Sequence, residues 1–218
     1  MKKILFVAYQ FPPLAGSGVN RSVQFYKYLI EFGYQPIVLT VDYATVYSSG
    51  MHIDKSQCDL IRDEKEIIRL KGYSLKPMVE FLMKLKIYRV FWFFFYRFTW
   101  EFSLWWATNN FKEVSKIVSD NDIKLVYTSS SPYSSWLLAI KLKKKFGLKW
   151  VADLRDPFTD GYMWRFPTKL HWLLMRWREK RWLAQADKII VNTPEVEKLY
   201  HKRNIVSPDK ITHITNGY

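Results

Sequence analysis

One cysteine, Cys58, stands in 218 residues, so an intrachain disulfide cannot form and a disulfide-stapled scaffold is excluded. That usage fits a reducing compartment. The four histidines, His52, His171, His201 and His213, are scattered without metal-ligand spacing, and no histidine lies near Cys58. Neither a metal site nor a Cys–His nucleophile is read from them, and no GxSxG elbow occurs. Acidic residues are scarce: 20 Asp and Glu against 34 Lys and Arg give a formal net charge of +14. Long apolar runs are missing too, since no uncharged stretch reaches the ~20 residues of a spanning helix. The opening Met1-Lys2-Lys3 and the run Ile4 to Tyr9 are too short for a signal peptide, and Pro12-Pro13 follow without a small-residue cleavage site. Two nucleotide fingerprints are absent. Arg21 stands where GxGxxG needs its third glycine, and there is no Walker lysine pattern.

What is present is a chain 49% hydrophobic, 25% charged and 18% aromatic, with 10 Trp, 14 Tyr and 15 Phe. That composition is neither disordered nor a membrane bundle. A chain of this length buries roughly 70% of its unfolded surface. The charge favours an anionic partner: phosphate lipid, nucleotide or nucleic acid. Nucleic acid ranks last, because the basic residues lack a helix-turn-helix or RRM context.

Lys3 to Ala8 reads as a buried strand. A Pro- and Gly-rich loop follows, then a helix over Val19 to Phe32 with Val23, Tyr26, Leu29 and Ile30 on one face, stopped by Gly33. Pro36 to Val41 is a second strand and completes a βαβ unit. Asp42 to Lys65 reads as irregular, and Glu66 to Leu70 as a third strand. Long helices are expected over Lys76 to Ser119. Strands follow at Lys124–Thr128, Lys149–Ala152, Lys188–Asn192 and Lys210–Ile214, with helices at Tyr133–Phe146, Thr168–Ala186 and Pro194–Lys202. The fold class is therefore α/β: one Rossmann-like parallel sheet with helices on both faces and a helical aromatic insertion near residues 76–119.

In such a sheet ligands bind at the strand C-termini, which selects three segments. The first runs from Phe11 to Arg21. Gly16 and Gly18, with Ser17 between them, let backbone approach a ligand, and the following helix offers N–H groups to an anion. A flexible loop with turn glycines is an equal reading. The second is Asp153-Leu154-Arg155-Asp156-Pro157, where a guanidinium beside carboxylates can hold a hydroxyl or orient a phosphate. A structural Asp–Arg pair is the alternative. The third is Thr128 to Tyr133, with Ser130 and Tyr133 as sugar or phosphate contacts, or serines as helix caps.

From Phe81 to Trp106 nearly every residue is apolar or aromatic. Lys86, Arg89, Arg97 and Glu101 fall on one face at about 100° per residue. A wide aromatic surface with a charged stripe suits a membrane interface, with Arg89, Trp92, Phe94 and Arg97 as contacts. Packing in the core or against another domain is the alternative. Basic clusters at Arg165–Arg181 and Lys141–Lys145 support an anionic lipid surface, at about 1 kcal/mol per basic residue near the headgroups.

The sequence resembles the N-terminal, acceptor-side half of GT-B glycosyltransferases, family 4-like. Pro12-Pro13 with Gly16-Ser17-Gly18, Ser130 to Ser135, Trp150 to Pro157, and Glu179 to Thr193 with Ile214 to Tyr218 carry the likeness, in that order. The resemblance implies that Gly16 and Gly18 line the cleft near the donor diphosphate and the transferred sugar. Arg155 and Asp156 stand where many members carry a catalytic or substrate-positioning His-Asp pair, with arginine in place of histidine. It further implies a nucleotide-sugar donor, a glycan or lipid-linked acceptor, no additional cofactor and no metal, and a position on the cytoplasmic face of the membrane. The donor-binding half, with its two glutamates eight apart, is expected to be absent from this chain, leaving a half-enzyme inactive by itself. A non-catalytic membrane adaptor that recruits a donor-domain partner is the alternative.

Overall fold

The computed structural model describes residues 2–49, 52–61, 64–72, 76–98, 104–161 and 165–216. Within them, seven strands form one sheet: β1 (Lys2–Val7), β2 (Tyr34–Val41), β3 (Ile67–Leu70), β4 (Leu125–Ser130), β5 (Lys149–Leu154), β6 (Lys188–Val191) and β7 (Ile211–His213). Their order is β3-β2-β1-β4-β5-β6-β7, and every pair is parallel. Parallel strands are buried on both faces, which explains why Leu5, Phe6 and Val7 are all inaccessible. The strand order reverses between β1 and β4, so the loops after those strands splay apart and open a crevice.

The helices are α1 (Ser17–Glu31), α2 (Tyr43–Ser49), α3 (Lys76–Lys84), α4 (Tyr88–Phe98), α5 (Leu104–Asn109), α6 (Phe111–Asp120), α7 (Ser135–Phe146), α8 (Lys169–Leu183) and α9 (Pro194–Lys202). Phe25 of α1 stacks on Tyr127 at 5.5 Å, while Trp136 of α7 bonds Ser130. Residues 127 and 130 point to opposite faces of β4, so α1 and α7 cover opposite sides of the sheet. Helix ends follow local chemistry. Gly147, at φ 69°, closes α7 in a left-handed conformation that glycine adopts without strain. Thr168 and Thr193 cap α8 and α9 through their hydroxyls.

Two expectations change. Among the described residues of 76–119 the helices are α3, α4, α5 and α6, and α3 and α4 are separated by a turn in which Lys86 has φ 58°. Lys86 therefore does not share a helical face with Arg89, and Glu101 lies outside the described residues. The stretch after β2 is less irregular than expected, because it contains α2 and a 3-10 turn over Ser56–Leu60.

Part of the aromatic excess is core. Trp106, Trp136 and Trp150 are fully buried, and each indole N–H finds an acceptor: Leu70 O at 3.3 Å, Ser130 Oγ at 2.6 Å and Thr128 Oγ1 at 3.0 Å. Polar clamps fix the outer elements. Asp187 accepts from the Trp150 N–H at 2.8 Å and pairs with Lys143 and Lys149, joining α7, β5 and the entry to β6. Burial pushes its carboxyl up, but those hydrogen bonds outweigh it and hold it below its ordinary value. Glu179, with no exposure, accepts from Tyr200 Oη and Thr159 Oγ1 at 2.6 Å each and from Arg203 Nη2 at 2.7 Å. Glu179→Ala would remove one of the two carboxylates that pair with Arg203, leaving it Asp160 alone at 2.7 Å, and would take the acceptor from two buried hydroxyls. It is expected to lower unfolding stability by about 3–5 kcal/mol, read from urea denaturation.

Candidate functional site

The loops after β1, β4 and β5 meet at the crevice. Arg21, in the second turn of α1, is almost completely buried against the equally buried Asp153 at the end of β5. Its Nε donates to both carboxylate oxygens, at 3.2 and 3.0 Å, and its Nη2 donates to Oδ1 at 2.7 Å. Tyr127 Oη donates to Asp153 Oδ2 at 2.7 Å. The remaining guanidinium nitrogen, Nη1, reaches Ile214 O and Asn216 Oδ1, both at 2.9 Å. One side chain thus ties the glycine loop, β5 and the segment after β7. Burial opposes the Arg21 charge, but the hydrogen bonds and charge of Asp153 outweigh it and keep the group protonated. Burial and the Asp153 charge push the Tyr127 phenol well above its ordinary value, so it stays a neutral donor.

Arg155 lies in the crevice itself. Its Nε donates to Ser130 O at 2.7 Å, its Nη1 to Gln10 Oε1 at 2.8 Å and its Nη2 to Ser131 O. All three acceptors are uncharged, and among the described residues no carboxylate forms an ion pair with it. Burial lowers its pKa, partly offset by the charges of Asp153 and Asp156. The guanidinium occupies the space above Gly18, where a Cβ would lie 1.2 Å from Arg155 Nη1 and 2.7 Å from Gln10 Oε1. Gly16, at φ 128°, precedes α1, and no side chain caps that helix. The loop is braced from outside by a strap, with Ala15 N–H donating to His52 O at 3.0 Å and Asp54 N–H to Pro13 O at 2.8 Å.

The sequence-derived residues sort by this geometry. Gly16, Ser17, Arg155 and the exposed Asp156 lie at the crevice surface. Ser130, Tyr133, Asp153 and Arg21 are buried with their polar atoms bonded inside the protein, so as placed they support the loops and leave no free group for a sugar. Tyr133 Oη, for example, donates to Asp156 O at 2.9 Å. Ser130 belongs to β4, and α7 begins only at Ser135 without a side-chain cap, so the serines do not cap the helix. Gly18 meets Arg155 and Gln10, which replaces the reading of open room for a ligand at that position. Sequence reasoning missed Gln10 and Tyr127, which carry no motif and gain their roles only from strands remote in the chain. A groove of about 640 Å³ adjoins the Arg21 cluster, lined by Asn20, Arg21, Phe25, Tyr28, Leu60 and Asn216 among others. Among the described residues, no group of His, Cys, Asp or Glu is placed to hold a metal.

The sequence profile of Glycosyltransferase Family 4 matches residues 16–218. The chain belongs to that family. No curated protein sequence matches it. Solved structures similar to it include a glycosyltransferase from Rickettsia africae, at 19% identity and TM-score 0.53, covering 99% of this chain and 43% of that one. Arabidopsis thaliana UGT89C1 in complex with UDP-L-rhamnose aligns at 10% identity and TM-score 0.54, covering 98% and 48%. The lipopolysaccharide outer core galactosyltransferase WaaB aligns at 14% identity and TM-score 0.50, covering 99% and 46%. The chain thus spans about half the length of these structures and has the N-terminal Rossmann-like half of the GT-B fold.

The membrane-contact candidates of this family 4 domain divide as well. Arg89 and Phe94 are exposed on α4. Trp92 is partly buried, packed against the core and stacked on Phe95 at 5.2 Å. The Arg97 side chain lies outside the described residues. Among those residues no helix is long and apolar enough to cross a membrane. The seating of Arg155 over Gly18 yields a stability test. Gly18→Ala is expected to lower stability by about 1–3 kcal/mol through overpacking, and by much less in an Arg155→Ala background. Urea unfolding of the four proteins measures the coupling; equal losses in both backgrounds would contradict the seating.

Proposed function

We propose that this domain forms the acceptor side of a sugar transferase that takes its sugar from a nucleotide sugar. The observation that carries the reading is Arg155, a guanidinium bound only by uncharged oxygens at the crevice, next to the uncapped N-terminus of α1. Such a pairing attracts an anion, because the positive charge and the helix N–H groups act together. In transfer, an acceptor hydroxyl forms a bond to the anomeric carbon as the bond from that carbon to the diphosphate oxygen breaks. The diphosphate leaves with the electron pair, and Arg155 with the Gly16–Gly18 backbone stabilises that charge. Asp156, exposed beside Arg155, accepts the proton of the acceptor hydroxyl as the new bond forms. Arg21, Asp153, Ser130 and Tyr133 act as positioning residues that hold these loops.

In this reading most of the nucleotide is held by a second Rossmann-like half, from the same polypeptide or another. That is consistent with a chain matching 43–48% of three similar structures. No cofactor or metal is called for. The acceptor is a glycan or lipid-linked glycan presented at the cytoplasmic face of a membrane. Exposed Val90 and Phe94 beside Arg89, and the likeness to a lipopolysaccharide galactosyltransferase, support this.

The test is a transfer assay with the 218-residue chain alone and with a donor-binding half supplied. The chain alone is expected to be inactive. In the complete enzyme Arg155→Ala is expected to lower kcat/KM by roughly 10²–10³-fold, the scale for losing one donor to developing negative charge. Strong turnover by the isolated chain, or full activity of Arg155→Ala, would contradict the reading.

A further inference from the structure

Helix α8 carries apolar residues on two opposite faces. His171, Met175, Glu179 and Leu183 recur every fourth residue and form its buried side. Leu170, Leu173 and Trp177 lie on the other side, within about 60° of one another at 3.6 residues per turn, and are 74%, 49% and 55% exposed. Three large side chains on one outward stripe are more than the scattered surface apolar residue that needs no explanation.

Helix α4 joins α8 through His171, on the side away from the stripe. The Phe93 ring packs edge-on against His171 at 4.8 Å, and the Phe93 carbonyl lies 3.1 Å from His171 Nε2. Half-exposed Phe94 and the more exposed Val90 are therefore carried on a helix joined to the first turn of α8. Charge frames the stripe. By the same helical spacing Lys169, Arg176 and Lys180 lie along one side of it and Arg181 along the other, with the Arg181 guanidinium 5.3 Å from the Trp177 ring centre. The only acid of α8, Glu179, faces inward and is fully paired. Arg176 is paired with Asp160 at 3.7 Å, so Lys169, Lys180 and Arg181 are the bordering cations with no ion pair among the described residues, and an apolar strip with an aromatic residue between such cations is complementary to an anionic bilayer surface.

Position supports the same occupant. Helix α8 starts from the β5 loop at the crevice edge, and Thr159 of that loop bonds both Trp172 and Glu179. The Lys141–Lys145 cluster ends α7 at the N-terminal ends of β5 and β6, away from the crevice, where Lys143 pairs with Asp187.

We propose that the outward face of α8, formed by Leu170, Leu173 and Trp177, inserts with α4 into an anionic membrane surface and sets the crevice edge against it. This deepens the membrane part of the proposed function and rests on it. The test is cosedimentation of the full chain with vesicles of phosphatidylglycerol and phosphatidylcholine, or of phosphatidylcholine alone. Two variants are compared: L170S/L173S/W177S on α8 and V90S/F94S on α4. Thermal unfolding confirms folding, which is expected to be retained because all five positions are exposed. Binding to the anionic vesicles that falls at least tenfold in each variant, and weakens with salt, supports the proposal. If the α8 variant binds as wild type while the α4 variant does not, the α8 proposal is overturned and the α4 reading stands. If the wild-type chain binds no anionic vesicle, both are overturned. So are they if the α8 face instead mediates self-association, seen as a dimer that the α8 variant abolishes.

Discussion

A guanidinium and a carboxylate 132 positions apart in the sequence meet, buried from solvent, at the centre of this domain. The Arg21–Asp153 pair has almost no exposure, and its desolvation is offset by five guanidinium hydrogen bonds and one phenol hydrogen bond. Because Arg21 belongs to α1, Asp153 to β5, Tyr127 to β4 and Asn216 to the segment after β7, the pair fixes the relative positions of elements from both sides of the strand-order reversal. The Arg155 seat depends on that frame. Arg155 follows Asp153 by two residues and reaches back to Gln10 and Ser131, so its reach is set once β1, β4 and β5 are locked.

The sheet was legible in the sequence because buried parallel strands leave short apolar runs, and because helices between them carry one-sided periodicity and stop signals such as Gly33 and Gly147. The positions of all seven strands follow from those cues to within a few residues. The crevice was legible only as a place. Asp153 and Arg155 stood out as charges after an apolar strand, yet their partners differ: one is buried in an ion pair, the other is bonded to uncharged oxygens of Ser130, Ser131 and Gln10. Strand alternation puts both on the same face; Asp153 lies within β5 and Arg155 just beyond its end, and the identity of each partner depends on pairing register and on groups 24 to 145 positions away. Gly18 shows the same limit. Its lack of a side chain was apparent, but the group filling the space is Arg155.

The helical segments illustrate a different loss of information. In 76–119 apolar residues are so dense that periodicity cannot mark where one helix ends, and the turn at Lys86 carries neither glycine nor proline. Trp92 and Phe94 look alike in sequence, and only packing separates the inward ring from the outward one. In α8 apolar residues on both faces cancel any one-sided pattern, so the outward stripe emerged only once Met175 and Glu179 were seen to define the buried side. The charge of +14 likewise resolves into parts. Some cations are structural, such as Arg21 and Arg203, some pair with Asp187 at the N-terminal ends of β5 and β6, and some border the apolar stripe of α8.

The central claim is that one buried ion pair holds the crevice loops as a unit in a family 4 domain built as a GT-B half. Amide hydrogen exchange of wild type and Asp153→Asn tests it most directly. The account predicts faster exchange together in residues 10–21, 130–134 and 214–216, with the β2–β3 edge unchanged. Faster exchange confined to β5 and the residues next to position 153 would contradict it.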